Sequence, residues 1–175
     1  MIKTISIFTL IVILSGCGES VKNQTDSKSS FEKIIFHTTG CFGTCPTYHL
    51  QVDADKSLKL FAETVYRNEK RISTEQDTTK TGYFNGVVND STFALLNKAL
   101  KTIGLDTLEF DDATCCDGSV KTIIVYYEGK RKFLRSMFPP EKAARLISIL
   151  YDICEKSSLT KTSKKFDIEN EKKQQ

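Results

Sequence analysis

EKIIFHTTGCFGTCPTYHLQVD, residues 32–53, is the stretch whose reading decides the fold. Its arms, Glu32 to Thr38 and Thr47 to Asp53, are strand-like. The part between them is nearly a mirror about Gly43, with Cys41 against Cys45 and His37 against His49. Pairing residues whose numbers sum to eighty-six sets Phe36 opposite Leu50 and Ile34 opposite Val52 on one face. The same register sets His37 opposite His49 and Ile35 opposite Gln51 on the other. Two apolar pairs on a single face are what a half-buried hairpin needs, and both histidines of the chain fall on the opposite side, where an exposed histidine is unremarkable.

Outward from the hairpin, an Asp-rich turn, Asp53 to Lys56, leads into a third strand from Leu58 that runs toward Tyr66. RNEKRISTEQDTTKTG, residues 67–82, lacks periodicity and reads as a long loop or a ragged hairpin extension. Gly82 to Val88 is one more short strand, after which Asp90 or Ser91 caps a helix. Phe93, Leu96, Leu100 and Ile103 recur at three- and four-residue steps, and Gly104 ends the run. Lys121 to Glu128, Gly129 and Arg131 to Ser136 form a second hairpin. Its first strand is apolar on both parities, which predicts a central strand covered on both faces. Pro139 and Pro140 start a last helix, with Ala143, Leu146, Ile147, Leu150 and Ile153 as its buried stripe. Strands, helix, hairpin and helix in that order predict a single α+β domain, an antiparallel sheet with two helices packed on one face.

The ends of the chain carry a different signal. MIKTISIFTLIVILSGC has a lysine, an apolar run from Ile5 to Leu14 too short to span a bilayer, and then Leu14-Ser15-Gly16-Cys17. These four residues resemble the lipobox of bacterial lipoproteins, which implies a signal peptide over 1–16 and an acylated Cys17. Gly18 rather than Asp after that cysteine suggests, by resemblance to lipoprotein sorting in diderm bacteria, the outer membrane. GESVKNQTDSKSS completes a polar, flexible tether over 17–30, and residues 160–175, charged and almost without core-forming side chains, read as a disordered tail. About 130 residues remain over 31–159, enough for one core and too few for two.

With 25 Lys and Arg against 22 Asp and Glu the formal charge is +3, and no basic stripe with interleaved aromatics supports nucleic-acid binding. No Gly-rich phosphate loop, H-E-x-x-H or G-x-S-x-G is present. Acidic loop residues Asp111, Asp112 and Asp117 are the available carboxylates, though such a run is more often solvated.

GCFGTCPTY resembles the signature of a family of bacterial domains of unknown function, found mostly in secreted proteins and lipoproteins. Its members carry G-C-[FY]-G-T-C-P-x-Y, then a strand, an Asp-Gly turn and later a G-x-Y-x-G strand that leads into a helix. The matching positions are Gly40, Cys41, Phe42, Gly43, Thr44, Cys45, Pro46 and Tyr48, with Gly82 to Gly86 as the second element. The turn departs from the pattern, with Asp55-Lys56 in place of Asp-Gly, and His37 and His49 are not part of the signature. The resemblance implies a fold and a compartment, and no activity.

Without Cys17, five thiols remain: Cys41, Cys45, Cys115, Cys116 and Cys154. An odd number outside the cytoplasm leaves at least one free, unless it pairs with another chain. Cys41 and Cys45 can come within bonding distance across the turn, where Gly40 and Gly43 give backbone freedom and Pro46 fixes the exit. Cysteine and neutral histidine are also good Zn(II) or copper ligands, so His37, Cys41, Cys45 and His49 form the alternative, a metal or thiol-redox site. Against this, the segment after Pro46 is a strand, so no helix N-terminus lowers a thiol pKa. One of Cys115 and Cys116 can pair with Cys154, or Cys154 is a small buried hydrophobe. The expectation is an anchored, non-enzymatic envelope domain for binding or scaffolding, held to a membrane and contacting an envelope protein, with Cys41 and Cys45 as a structural pair and no cofactor.

Overall fold

A computed structural model describes residues 29–67 and 75–170; the signal peptide, acylated Cys17 and tether expected over residues 1–28 lie outside the described residues. The chain runs β1 (Lys33–Thr38), β2 (Thr47–Asp53), β3 (Ser57–Thr64), β4 (Gly82–Val87), α1 (Asp90–Ile103), β5 (Lys121–Tyr127), β6 (Lys130–Ser136), α2 (Ala144–Lys156) and β7 (Ser158–Thr162). All seven strands join one antiparallel sheet in the order β6-β5-β1-β2-β3-β4-β7.

The first hairpin has the register that its hydrophobic pattern specifies: Ile34 faces Val52, Phe36 faces Leu50, and His37 faces His49. One continuous core joins Ile34, Phe36, Leu50, Val52, Leu58, Leu60, Ile123 and Val125 of the sheet to Phe93, Leu96 and Leu100 of α1 and Leu146, Leu150 and Ile153 of α2. Phe36 meets Tyr151 of α2 edge-on at 5.2 Å, and Tyr48 meets the same ring at 6.3 Å. Among the described residues no helix is long and apolar enough to cross a membrane.

Several local expectations are corrected. Asn89, not Asp90 or Ser91, caps α1: its side chain accepts from the Thr92 N–H at 2.9 Å. Asp90 then falls in the first turn, where its charge suits the helix dipole, and pairs with Lys56 at 2.7 Å. Pro140 precedes a short 3-10 turn, Glu141–Ala143, and α2 proper starts at Ala144. Ile149 and Cys154 join the buried stripe of α2, while Ile147 lies at its margin. β5 is second from the edge rather than central, yet five of its residues are buried, because strand order does not decide burial when both faces are covered. Tyr66 pairs with Gln76 in an isolated bridge beyond β3, so the loop begins as a hairpin extension; residues 68–74 lie outside the described residues.

The largest difference is at the C-terminus, where a tail was expected from residue 160. β7 pairs with β4, and residues 163–170 then cross the sheet. The segment lacks a hydrophobic run, but an edge strand needs ladder hydrogen bonds more than apolar side chains.

Candidate functional site

At one end of the sheet is the β1–β2 tip. Cys41 and Cys45 face each other in disulfide geometry, with Cα atoms 5.5 Å apart, so neither offers a thiolate. The Thr38 hydroxyl donates to the Pro46 carbonyl at 2.8 Å and accepts from the Tyr48 N–H at 2.9 Å, which closes the hairpin above the bulge at Thr47/Tyr48. The tip is also tied sideways: the Phe42 N–H donates to the Asp117 carbonyl at 3.0 Å, and the Thr39 N–H to that of Val120 at 3.1 Å. Tyr48 is buried on the helix side. A cavity of about 520 Å³, whose lining includes Thr44, Pro46, Tyr48, Phe84 and Cys154, opens between the tip and the end of α2. Phe42 is the exception, with its ring 90% exposed on a loop whose backbone is fixed.

The histidines belong to the sheet face on the other side. Strand register sets His37, His49, Phe61 and Tyr83 in one row across β1, β2, β3 and β4. Their ring centroids are 5.0, 5.5 and 4.5 Å apart in sequence along the row, the last two contacts being stacked. Phe166 of the C-terminal segment ends the row against Tyr83 at 5.1 Å. The exposed His37 expected from the hairpin alone is corrected: it is 4% exposed, because residues 163–170 lie over it.

Hydrogen-bond valence fixes the His37 tautomer. Nε2 stands 2.7 Å from the Glu169 carbonyl, which only accepts, so Nε2 carries the proton. Nδ1 is then the acceptor and takes the Nδ1–H of His49 at 2.8 Å. The other nitrogen of His49 lies 3.3 Å from the Glu63 carboxylate. Burial pushes the His37 pKa from the usual 6.5 down to about 4, with the nearby His49 adding to the shift and the Glu169 carbonyl opposing it.

The four-ligand metal arrangement is therefore not assembled. The structure joins His37 to His49 and Cys41 to Cys45, and among the described residues no group of three or more His, Cys, Asp or Glu is placed to hold a metal. Cys154 is unpaired and buried in the core, where burial pushes its thiol well up, so the bridge to Cys115 or Cys116 is not formed. Cys115 and Cys116 are exposed with sulfurs 2.8 Å apart, and the hydrogen bond that the Cys116 thiol donates to Cys115 raises the Cys116 pKa. Neither shift favours a nucleophile. Two of the loop carboxylates hold structure: Asp111 accepts from the Ser136 hydroxyl and the Ala113 N–H, and Asp112 pairs with Arg135 at 2.9 Å, while Asp117 acts through its backbone carbonyl, which accepts from the Phe42 N–H.

Sequence reasoning missed the partners of the histidines. Phe61 and Tyr83 were legible in principle, since odd positions of β3 and β4 extend the His37 face, but Phe166 and Glu169 lie far away in a charged stretch.

These features define a small α+β domain with one seven-stranded antiparallel sheet, two helices and a cysteine-closed hairpin tip. The chain belongs to the family named domain of unknown function DUF6438, whose model matches residues 32–151. The match stops within α2, so β7 and the segment after it lie beyond it. No curated protein matches the chain.

Proposed function

We propose that this chain is an envelope lipoprotein, anchored through Cys17 in the outer membrane of a diderm bacterium, whose domain is a binding module that contacts a protein partner through its hairpin tip. The observation that carries this reading is Phe42. A large apolar ring held in water is unfavourable, by about 25 cal/mol for each Å² left exposed, unless a partner covers it. Here the surrounding backbone is fixed by the Cys41–Cys45 pair and the Asp117 bond, so little ordering entropy opposes association. Rigid aromatic side chains of this kind form the centres of protein interfaces. LSGC and the polar residues after it support the anchor, and the signature resemblance supports an extracytoplasmic setting.

The test is site-specific photocrosslinking in cells from a probe at position 42, with a second probe at the exposed Val87 as control. A discrete product from 42 alone, and its loss in a Phe42→Ser variant of unchanged melting temperature when the probe is moved to Thr44, is the expected result. No product above the control would remove the tip from the binding reading. Cys17→Ala should move the protein from the membrane to the soluble fraction.

A further inference from the structure

The sheet face opposite the core holds a second, independent feature. Residues 163–170 cross it without secondary structure of their own and dock at two points. The Phe166 ring packs on Tyr83, with the Lys59 ammonium 6.0 Å from its centre. Three residues on, the Glu169 carboxylate accepts from the Tyr126 hydroxyl at 2.7 Å and from Arg131 Nε at 2.9 Å, pairs with the other Arg131 nitrogen at 2.8 Å, and lies 3.7 Å from Lys33. Its carbonyl takes the His37 Nε2–H. Three residues of extended chain span about 10 Å, which is two strand spacings of about 4.8 Å. The contacts run from Tyr83 on β4 and Lys59 on β3 to Lys33 and His37 on β1 and Tyr126 on β5, across the strands, with the side chains adding to the backbone's reach, so the face reads side chains and one carbonyl rather than a β-ladder.

All the receiving groups (Lys33, His37, Lys59, Tyr83, Tyr126 and Arg131) stand on strands inside the family match, whereas Phe166 and Glu169 stand outside it. The receiving groups thus lie within the matched residues, and the occupant follows them in the chain. Two cations and a phenol converge on a carboxylate that is only 22% exposed, and would face one another without it if the segment left.

We propose that this face is a receptor for an extended segment bearing an aromatic residue and, three positions later, a carboxylate, and that residues 166–169 occupy it in cis until the matching segment of a partner protein displaces them. The cis occupant is only four residues from the end of β7, so its effective concentration is millimolar or higher and a partner must outcompete it.

The probe is a fluorescein-labelled peptide of residues 164–175, KKFDIENEKKQQ, titrated into the full chain and followed by anisotropy. The full chain carrying Phe166→Ala and Glu169→Ala should bind it at least about tenfold more tightly than the unaltered chain, because the cis competitor is gone. A peptide with Glu169→Gln should bind that variant at least about tenfold more weakly, and Arg131→Gln in the same variant should abolish saturable binding. Phe42→Ser should leave binding unchanged, which separates this inference from the tip reading. Should the double variant fail to fold, hydrogen exchange of residues 163–169 in the unaltered chain must accelerate as unlabelled peptide is added. Equal binding of the Glu and Gln peptides, or exchange indifferent to peptide, would overturn the proposal. So would a stable dimer of unaltered chains that Phe166→Ala dissolves, which assigns the face to a second copy.

Discussion

A neutral imidazole at position 37 suits both of its neighbours, and a charged one suits only the carbonyl of Glu169. Protonating Nδ1 would set its new N–H against the Nδ1–H of His49 and place a cation where water is excluded. In the unfolded chain the ring titrates near 6.5, and in the fold near 4. Between these values the unfolded state binds the extra proton, so stability is full above about pH 6.5, falls as pH drops, and levels off below about 4. This one group should make the domain about 2.5 kcal/mol less stable at pH 4.5 than at pH 7.5, measured by urea unfolding. A His37→Phe variant should lose that slope, at a cost of about 1 to 3 kcal/mol at neutral pH from its two hydrogen bonds. The Glu169 carboxyl contributes in a lower window. Burial pushes it up, but the bonds from Tyr126 and Arg131 outweigh this and hold it below its ordinary value, so its contribution fades only in stronger acid. If the slope between pH 7.5 and 4.5 is the same with Phe at position 37, the acid sensitivity lies elsewhere.

Elements in this fold are fixed by close approach as much as by pattern, and Gly86 shows it. A Cβ there would stand 2.6 Å from the Ser158 carbonyl, so β7 can lie on β4 only where residue 86 has no side chain. Gly86→Ala should cost about 1 to 3 kcal/mol, as overpacking does, and raise hydrogen exchange at residues 158–162 before any other strand. Protection of β7 equal to that of the unaltered chain would refute the argument. The tip behaves differently, since closing a loop of so few residues confers only about 2 kcal/mol. Replacing Cys41 and Cys45 with serine should lower stability by that amount while leaving β1 and β2 paired, because their register rests on Ile34, Phe36, Leu50 and Val52. These contrasts explain what was legible beforehand. The first hairpin could be read to the residue because a slip of one would have turned either Ile34 and Phe36 or Leu50 and Val52 away from the core. β7 could not, since Ser-Leu-Thr-Lys-Thr has one large apolar residue and its place depends on a glycine seventy-odd positions earlier. The aromatic row was half visible through parity, whereas its closing residues, Phe166 and Glu169, answer to no local period.

At the scale of the molecule, the two ends of the sheet face opposite ways, and the anchor reading gives that direction a meaning. Ser30 enters the domain through the side chain of Asn97 on α1, with its N–H 2.8 Å from Oδ1, beside the start of β1. Glu32 is fastened at the same end, its carboxylate accepting from Gly129 of the β5–β6 turn at 3.0 Å. β1 then runs six residues, about 20 Å, before the chain reaches the tip. A chain held at Cys17 therefore presents the Glu128–Gly129 turn toward the bilayer and Phe42 away from it, and the residues from 17 to 29 add at most about 43 Å of reach. This orientation suits a module that meets its partner at the tip. In vesicles carrying the acylated protein and a headgroup quencher, a fluorophore introduced at position 128 should be quenched more than one at position 42. Cleaving the chain between Cys17 and Ser29 should abolish quenching at both. Stronger quenching at 42 would turn the tip toward the membrane and reassign Phe42 from protein contact to lipid contact, a role its exposed ring could also fill. Equal quenching at both sites would mean that entry at Ser30 does not orient the domain.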